Sequence, residues 1–158
     1  MKQFKAYIAK GLLKPQAPDF AQINRQLQRA ARDLGTAKHL LAEDPQWAAT
    51  IAYQSMLRAG RALLFANGVL PADGRQHKTV VELTGELLGA HYEVLVQQFE
   101  RLRRKRNVFF YDSEESITGT ETLTALEAAR ELLTAIEEKI AHANPQESLQ
   151  YSGERSDS

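Results

Sequence analysis

Apolar residues recur at alternating steps of three and four along most of the chain, which is the spacing of one buried face on an α-helix. After Asp19, which can cap a helix, this rhythm continues without a break through Phe20, Ile23, Leu27, Ala30, Leu34, Ala37 and Leu41. The next segment, residues 47–66, is apolar around much of its circumference and predicts the central, most buried helix. Further helices are predicted from about Gln76 to Leu88, from about His91 onwards and from Thr120 to Ala143.

The two ends of the chain differ from the middle and define three predicted segments. Residues 1–17 contain a short amphipathic helix that ends before Pro15 and is expected to pack on the core as a flap, the alternative being a helix that lies on a membrane surface. Residues 18–144 are expected to form a single helical bundle. Residues 145–158 are polar with few apolar positions and predict a disordered tail. No sheet is expected.

The composition limits the classes of function. A chain of 158 residues is long enough for one domain with its own core. The 20 lysines and arginines balance the 20 aspartates and glutamates, so binding of an anion must depend on a local cluster of charge. The sequence has no cysteine, no apolar stretch long enough to span a bilayer and no signal peptide at its start, and we therefore expect a cytoplasmic protein.

A local cluster of charge occurs late in the helix that starts near His91. Five cations lie within the six positions 101–106. Steps of three and four place four candidate site residues on one helix face, namely Arg103, Arg106, Asn107 and Tyr111. Arg106 also continues the apolar seam, where a guanidinium requires an acidic partner, a polar groove or a subunit interface. The alternative to a functional site is an ordinary charged helix face. In that case most of these arginines are solvated, and a buried arginine pairs with a carboxylate such as Asp112 or Glu100.

Several phrases of the sequence, taken in order, carry a resemblance to a known family. They are Ala31–Leu34 with Ala37, Ala52–Tyr53, Arg58–Leu64, Gly68–Pro71 with His77, and Arg103–Asn107 with Tyr111 and Asp112. From about Gly11 to Ile140 the chain resembles the HEPN (higher eukaryotes and prokaryotes nucleotide-binding) family. The resemblance implies an all-α fold, a five-helix, largely up-and-down bundle that is commonly a homodimer.

The same resemblance implies a class of function. HEPN proteins are often encoded beside a minimal nucleotidyltransferase in toxin–antitoxin pairs, and many are metal-independent endoribonucleases. The chain is therefore expected to be the toxin-like or companion member of such a module. RNA or a nucleotide is the implied ligand, the nucleotidyltransferase is the implied partner, and no cofactor, metal or membrane is expected.

One position departs from the family's ribonuclease motif. The motif is an arginine, usually followed by a polar residue such as asparagine, and then a histidine after four to six intervening positions. It maps onto Arg106 and Asn107, but the histidine position holds Tyr111. A phenol with an ordinary pKa of about 10 is a poor base at neutral pH, so ribonuclease activity is expected to be weak or absent. In some family members, a tyrosine near the motif receives nucleotidyl groups from the partner enzyme. The matching position here is Ser113, so regulation by nucleotidylation of that tyrosine is not expected.

The four histidines show no other pattern of chemistry. None has a partner histidine four residues away with which to chelate zinc. Arg32 and His39 match the arginine–histidine spacing, but they lie in the first long helix and we interpret the match as coincidence. His77 fits the family pattern, and capping of the helix that follows it is the simpler explanation. Trp47 and Tyr53 are interpreted as core or interface aromatics.

Two hypotheses of function therefore stand. In the first, Arg106 binds a phosphate of RNA or of a nucleotide together with Arg103, Asn107 donates a hydrogen bond, and Tyr111 stacks on the ligand or handles a proton. A ligand of nucleotide size would make the protein a stress-linked nucleotide-binding protein. In the second, the same surface is a non-catalytic interaction or dimerisation module for a nucleotidyltransferase partner.

Overall fold

The computed structural model describes residues 2–111 and 117–143, and within them all side chains except those of residues 2 and 107–111. These residues are mostly helical, which confirms the all-α prediction. Six α-helices are present in them, namely α1 (Lys2–Ala9), α2 (Phe20–Leu40), α3 (Pro45–Ala66), α4 (His77–Leu88), α5 (Glu93–Tyr111) and α6 (Gly119–Ala143). A short 3-10 turn, Ala90–Tyr92, leads into α5. The short α1 thus precedes five longer helices in the described part of the chain.

An aspartate caps the N-terminus of each of the two long helices α2 and α3. The Asp19 carboxylate accepts a hydrogen bond from the backbone N–H of Gln22, and the Asp44 carboxylate accepts one from the backbone N–H of Trp47. Each bond satisfies an N–H group that has no partner inside its helix. Pro45 occupies the first position of α3, where a missing N–H has no cost. The predicted cap at Asp19 is confirmed.

Helix α3 is the centre of the molecule, as its apolar circumference predicted. It contributes thirteen buried residues and packs against α2, α4, α5 and α6. Helices α3 and α4 approach each other closely at Gly60, because a Cβ atom there would lie 2.8 Å from both Val80 Cγ1 and Thr84 Oγ1 of α4. A small residue at position 60 therefore sets the spacing of α3 and α4.

The expectation that the fold has no sheet is wrong. A short antiparallel ribbon pairs β1 (Leu13–Pro15) with β2 (Val69–Pro71), and Leu13 lies opposite Pro71. Gly68, with φ of 86°, turns the chain after α3 so that β2 can run back along β1. Strands of three residues are too short to show a period-two pattern in the sequence.

The ribbon holds the N-terminal segment against the bundle. Phe4 of α1 is only 2% exposed in the core, and the Tyr7 hydroxyl of α1 lies 3.1 Å from Glu82 Oε2 of α4. Within the described residues, no helix is both long and apolar enough to cross a membrane. The predicted tail, residues 145–158, lies outside the described residues, as do residues 112–116.

Candidate functional site

Arg106 lies at the point where the apolar row of α5 becomes polar. Phe99 and Leu102, which precede it in the same row, are buried in the core. The Arg106 guanidinium turns onto the ring face of Tyr53 in α3, with Cζ 5.8 Å from the ring centroid. A cation over an aromatic face retains favourable electrostatics after partial removal from water. The Tyr53 ring is therefore one contact that compensates this guanidinium at the junction of α3 and α5.

His77 faces this arginine from the first residue of α4. Its Nδ1 atom lies 3.2 Å from Arg106 Nη1 and 2.9 Å from the hydroxyl oxygen of Tyr53. The N-cap residue of α4 is Gln76, whose side chain makes no capping bond. The interpretation of His77 as a helix cap is therefore wrong, because its ring turns towards α3 and α5. Tyr53, His77 and Arg106 are called the Tyr–His–Arg cluster below.

Tyr53 is the buried floor of the cluster. The residue is 1% exposed, and its ring packs against Phe99 with ring centroids 6.0 Å apart. Burial raises the pKa of Tyr53 to about 12, although the guanidinium of Arg106 acts in the opposite direction. The phenol is therefore protonated at neutral pH and can donate a hydrogen bond. The prediction of a core aromatic is confirmed, but the sequence did not reveal the polar role of the hydroxyl.

Two further arginines add positive charge around the cluster. Arg61 follows Tyr53 on α3, and its Nη2 atom lies 3.4 Å from the carbonyl oxygen of Gly74. Burial is the main cause that lowers the pKa of Arg61. Arg103 of α5 donates two hydrogen bonds to the Glu100 carboxylate, at 2.9 and 2.7 Å, and these bonds lower the pKa of Glu100. Glu100 therefore compensates the charge of Arg103.

The surroundings of His77 favour the neutral imidazole. Burial is the main cause that lowers the pKa of His77, and the positive charges of Arg106, Arg61 and Arg103 lower it further. A hydrogen bond with the backbone of Gly74 acts in the opposite direction. The helix N-terminus at which His77 lies is also unfavourable for a cation. The ring is therefore uncharged at neutral pH.

The remaining predicted site residues lie where side chains are not described. The backbone of Asn107 and Tyr111 belongs to α5, but their side chains fall outside the described residues. The same holds for Asp112 and Ser113 as whole residues. Their proposed roles stay predictions. The alternative carboxylate partner, Glu100, is bound by Arg103 and, at 3.0 Å, by Arg104.

No three histidine, aspartate or glutamate side chains in residues 2–111 and 117–143 are grouped as metal ligands. The neighbours of His77 are an arginine and a tyrosine. At neutral pH both side chains donate hydrogen bonds, and neither acts as a metal ligand.

Comparison with known families decides the identity of the domain. A sequence model of the HEPN domain matches residues 23–139, from early in α2 to near the end of α6. The chain belongs to the HEPN family. No curated protein and no solved structure matches the chain. All three residues of the Tyr–His–Arg cluster lie within the matched region of this HEPN domain.

Contacts between α2 and α3 explain two of the phrases that carried the resemblance. Arg58 Nε lies 3.7 Å from Asp33 Oδ2, and Arg58 Nη1 donates to Gln26 Oε1 at 3.0 Å. Asp33 also accepts a bond from Arg29 on its own helix. These residues of the HEPN domain therefore help to hold α2 and α3 together.

Sequence reasoning found Arg106 but not its neighbours. The contact between His77 and Arg106 joins residues 29 positions apart on different helices, and no helical spacing can indicate it. Tyr53 and His77 both belong to the phrases that carry the family resemblance, but the sequence does not place either of them beside Arg106.

Proposed function

We propose that this HEPN domain binds a phosphate-bearing ligand, RNA or a nucleotide, at the Tyr–His–Arg cluster. The observation that carries the proposal is the position of the Arg106 guanidinium, half-buried between the Tyr53 ring and the His77 imidazole. A guanidinium presents its donors in a planar fork that matches phosphate oxygens. The family to which the chain belongs is one of nucleotide- and RNA-related function.

The charges around the cluster favour an anion. Arg61, Arg103 and Arg106 all act electrostatically on both Tyr53 and His77. The neutral imidazole adds a polar group without removing positive charge. Partial burial lowers the local dielectric, so a phosphate gains more from these arginines than it would at a fully solvated surface. Glu100 holds Arg103 in two hydrogen bonds and compensates part of its charge.

The remaining roles in this proposal come from the motif. Asn107 donates a hydrogen bond to the ligand, and Tyr111 stacks on it or handles a proton. Because Tyr111 replaces the histidine of the family motif, cleavage of RNA is weak or absent compared with relatives that carry the imidazole there. If RNA is cleaved, the enzyme is a metal-independent endoribonuclease.

The proposal extends to the setting in which the domain works. The protein is a cytoplasmic homodimer and the toxin-like or companion member of a toxin–antitoxin module, with a minimal nucleotidyltransferase as partner. What supports this setting is the family, whose members often occur in such pairs. Sedimentation at high micromolar concentration tests the dimer, and co-purification with the product of a neighbouring nucleotidyltransferase gene tests the partner.

Binding of single-stranded RNA to three variants at fixed salt tests the ligand proposal. Arg106→Ala removes a charge-assisted and potentially bidentate contact, so affinity should fall by about ten- to a hundredfold, or about 1.5–3 kcal/mol. Arg106→Lys should restore only part of this loss, since a point charge does not reproduce the fork. Arg130→Ala, on the exposed face of α6, is the matched control and should bind as the wild type does.

Competition by inorganic phosphate shows whether the contact is to phosphate. Phosphate should displace RNA from the wild type and should compete less well in Arg106→Ala. Unchanged RNA affinity in Arg106→Ala, with an unchanged circular-dichroism spectrum, would contradict the proposal. An equal loss in Arg130→Ala would show a diffuse charge effect instead of a site.

A further inference from the structure

Two hydrogen-bond donors share one nitrogen of the His77 ring. Nδ1 of His77 lies 3.2 Å from Arg106 Nη1 of α5 and 2.9 Å from the hydroxyl oxygen of Tyr53 of α3. A guanidinium only donates hydrogen bonds, and the buried Tyr53 phenol is protonated at neutral pH. Both contacts therefore use the single lone pair that Nδ1 has in a neutral ring, and the proton of that ring lies on Nε2.

Positive charge surrounds this ring on the two helices that pack against it. Arg106 and Arg103 act on His77 from α5, and Arg61 acts on it from α3. A hydrogen bond with the backbone of Gly74, in the loop before α4, acts in the opposite direction. Protonation in the free protein would place an imidazolium beside these guanidinium groups and would break the contact with Arg106. The free protein therefore keeps the ring neutral.

A phosphate group bound at Arg106 removes both obstacles to protonation. The guanidinium then donates to the phosphate oxygens, so Nδ1 no longer has to serve as its acceptor. The negative charge of the phosphate also offsets the positive charges around the ring. The Tyr53 hydroxyl is compatible with either state of His77, because a hydroxyl can donate to the lone pair of Nδ1 or accept from a protonated Nδ1.

We propose that His77 takes up a proton from solvent when a phosphate group binds at Arg106, and that it thereby becomes a further cation of the anion site. The proton adds to Nδ1, and no other bond is made or broken. This inference rests on the proposed function, because it requires the phosphate to lie at the Tyr–His–Arg cluster. It adds regulation by pH: a ligand that favours a proton is itself favoured by that proton, so acid should strengthen binding.

The sign of this pH dependence follows from the two states of the site. The pKa of His77 is lowered in the free protein, chiefly by burial and then by the arginines, and it should be higher in the complex. Between the two pKa values the complex holds one proton more than the free protein, so affinity rises as pH falls through that window. Each unit by which the ligand raises the pKa of His77 adds about tenfold to the affinity.

The test requires a ligand whose own charge is constant. Single-stranded oligouridylate of about ten nucleotides, without terminal phosphates, carries only phosphodiesters and uracil, and neither titrates between about pH 5.5 and 8. Its affinity is measured across that range at fixed salt, because salt alone changes the binding of RNA. Cyclic uridine 3′,5′-monophosphate is the second probe. Proton uptake with both probes shows that one nucleotide is sufficient, whereas proton uptake with the oligonucleotide alone selects RNA as the ligand.

Two histidine variants separate His77 from the other titrating groups. His77→Asn keeps an amide oxygen as acceptor for Arg106 and Tyr53 but does not take up a proton in this range. His39→Asn is the matched control, because His39 is exposed on α2. From pH 8 to 5.5 the affinity of the wild type and of His39→Asn should rise by about five- to twentyfold, and that of His77→Asn by less than about twofold.

A measurement on the wild type alone does not depend on any variant folding. Nitrogen-15 spectra of the His77 ring, recorded against pH with and without saturating oligouridylate, should show that the ligand raises the pKa of the ring. Calorimetry of binding in two buffers with different heats of ionisation should show net uptake of protons within the same window.

Three results would overturn the inference. They are equal pH dependence of affinity in the wild type and His77→Asn, a pKa of His77 that oligouridylate leaves unchanged or lowers, and binding without proton uptake. Binding that needs Arg106 but shows one of these results would leave the proposed function intact and remove only the role of His77. Absence of RNA binding at every pH would remove both.

Discussion

Gly60 of α3 lies so close to Val80 of α4 that a Cβ atom on the glycine would be 2.8 Å from Val80 Cγ1. The same Cβ would be 2.8 Å from Thr84 Oγ1. Both neighbours are fully buried, so neither can move away into solvent. His77 precedes Val80 by one helical turn, and its distance to Tyr53 depends on how closely the two helices pack. The close approach at Gly60 is therefore part of what builds the Tyr–His–Arg cluster.

The first prediction concerns this contact. Gly60→Ala should destabilise the fold by about 1–3 kcal/mol, because the extra methyl group overpacks the interface between α3 and α4. Gly35→Ala is the control, since a Cβ there meets nothing within 4 Å. In the interior of α2 that change should be neutral or stabilising by up to about 1 kcal/mol. Urea unfolding of both variants measures the difference, and equal effects would contradict the packing explanation.

Packing of this kind marks the limit of what the sequence predicts. The seam of α2 and the apolar circumference of α3 specify helices and a buried face, because periodicity reflects local geometry. The contact of Gly60 with Val80 and Thr84 joins separate helices, and periodicity along one helix does not contain it. For the same reason Arg106 could be picked out from its charge on an apolar row, whereas His77 as its neighbour could not.

The second prediction concerns alkaline pH. The pKa of Tyr53 is about 12 in the fold and about 10 in an unfolded chain, so the folded state binds more protons between these values. Stability should therefore fall as pH rises through this window. Tyr53→Phe should show a shallower fall, because it has no phenol to ionise. Urea unfolding at several pH values between about 8 and 11 measures the slopes.

A control is needed because Tyr7 has a similarly raised pKa, through burial and its bond to Glu82. Tyr7→Phe should reduce the alkaline slope independently of Tyr53→Phe, and the double variant should show the sum of the two changes. A slope in Tyr53→Phe equal to that of the wild type would mean that the phenol ionises equally easily in the folded and unfolded chain. The burial that raises the pKa of Tyr53 would then be in doubt.

The third prediction concerns the charge of Arg103. Glu100 holds this guanidinium in two hydrogen bonds and also pairs with Arg104. Glu100→Gln should raise affinity for RNA by about two- to fivefold, because a neutral amide no longer compensates two arginines near the bound phosphate. The gain should shrink as salt is increased. Glu138→Gln, exposed on α6, is the control.

Affinity measured at two salt concentrations distinguishes charge from structure in this test. A gain that persists unchanged at high salt would point to a rearrangement of α5 instead of an electrostatic effect. A loss of affinity would show that the Glu100 bonds are needed to hold Arg103 and its neighbour Arg106 in place. If the RNA affinity of Glu100→Gln equals that of the wild type, the assignment of Arg103 as a phosphate ligand would be wrong.

The fourth prediction concerns the histidine position of the motif. Tyr111→His should raise ribonuclease activity, because an imidazole has an ordinary pKa near neutrality and a phenol does not. The RNA affinity should change little, since Arg106 is unaltered. Single-turnover cleavage of a randomised single-stranded RNA pool by the wild type, Tyr111→His and Tyr111→Phe measures the effect. Robust wild-type cleavage that is lost in Tyr111→Phe would contradict the prediction and make the phenol the proton-transfer group.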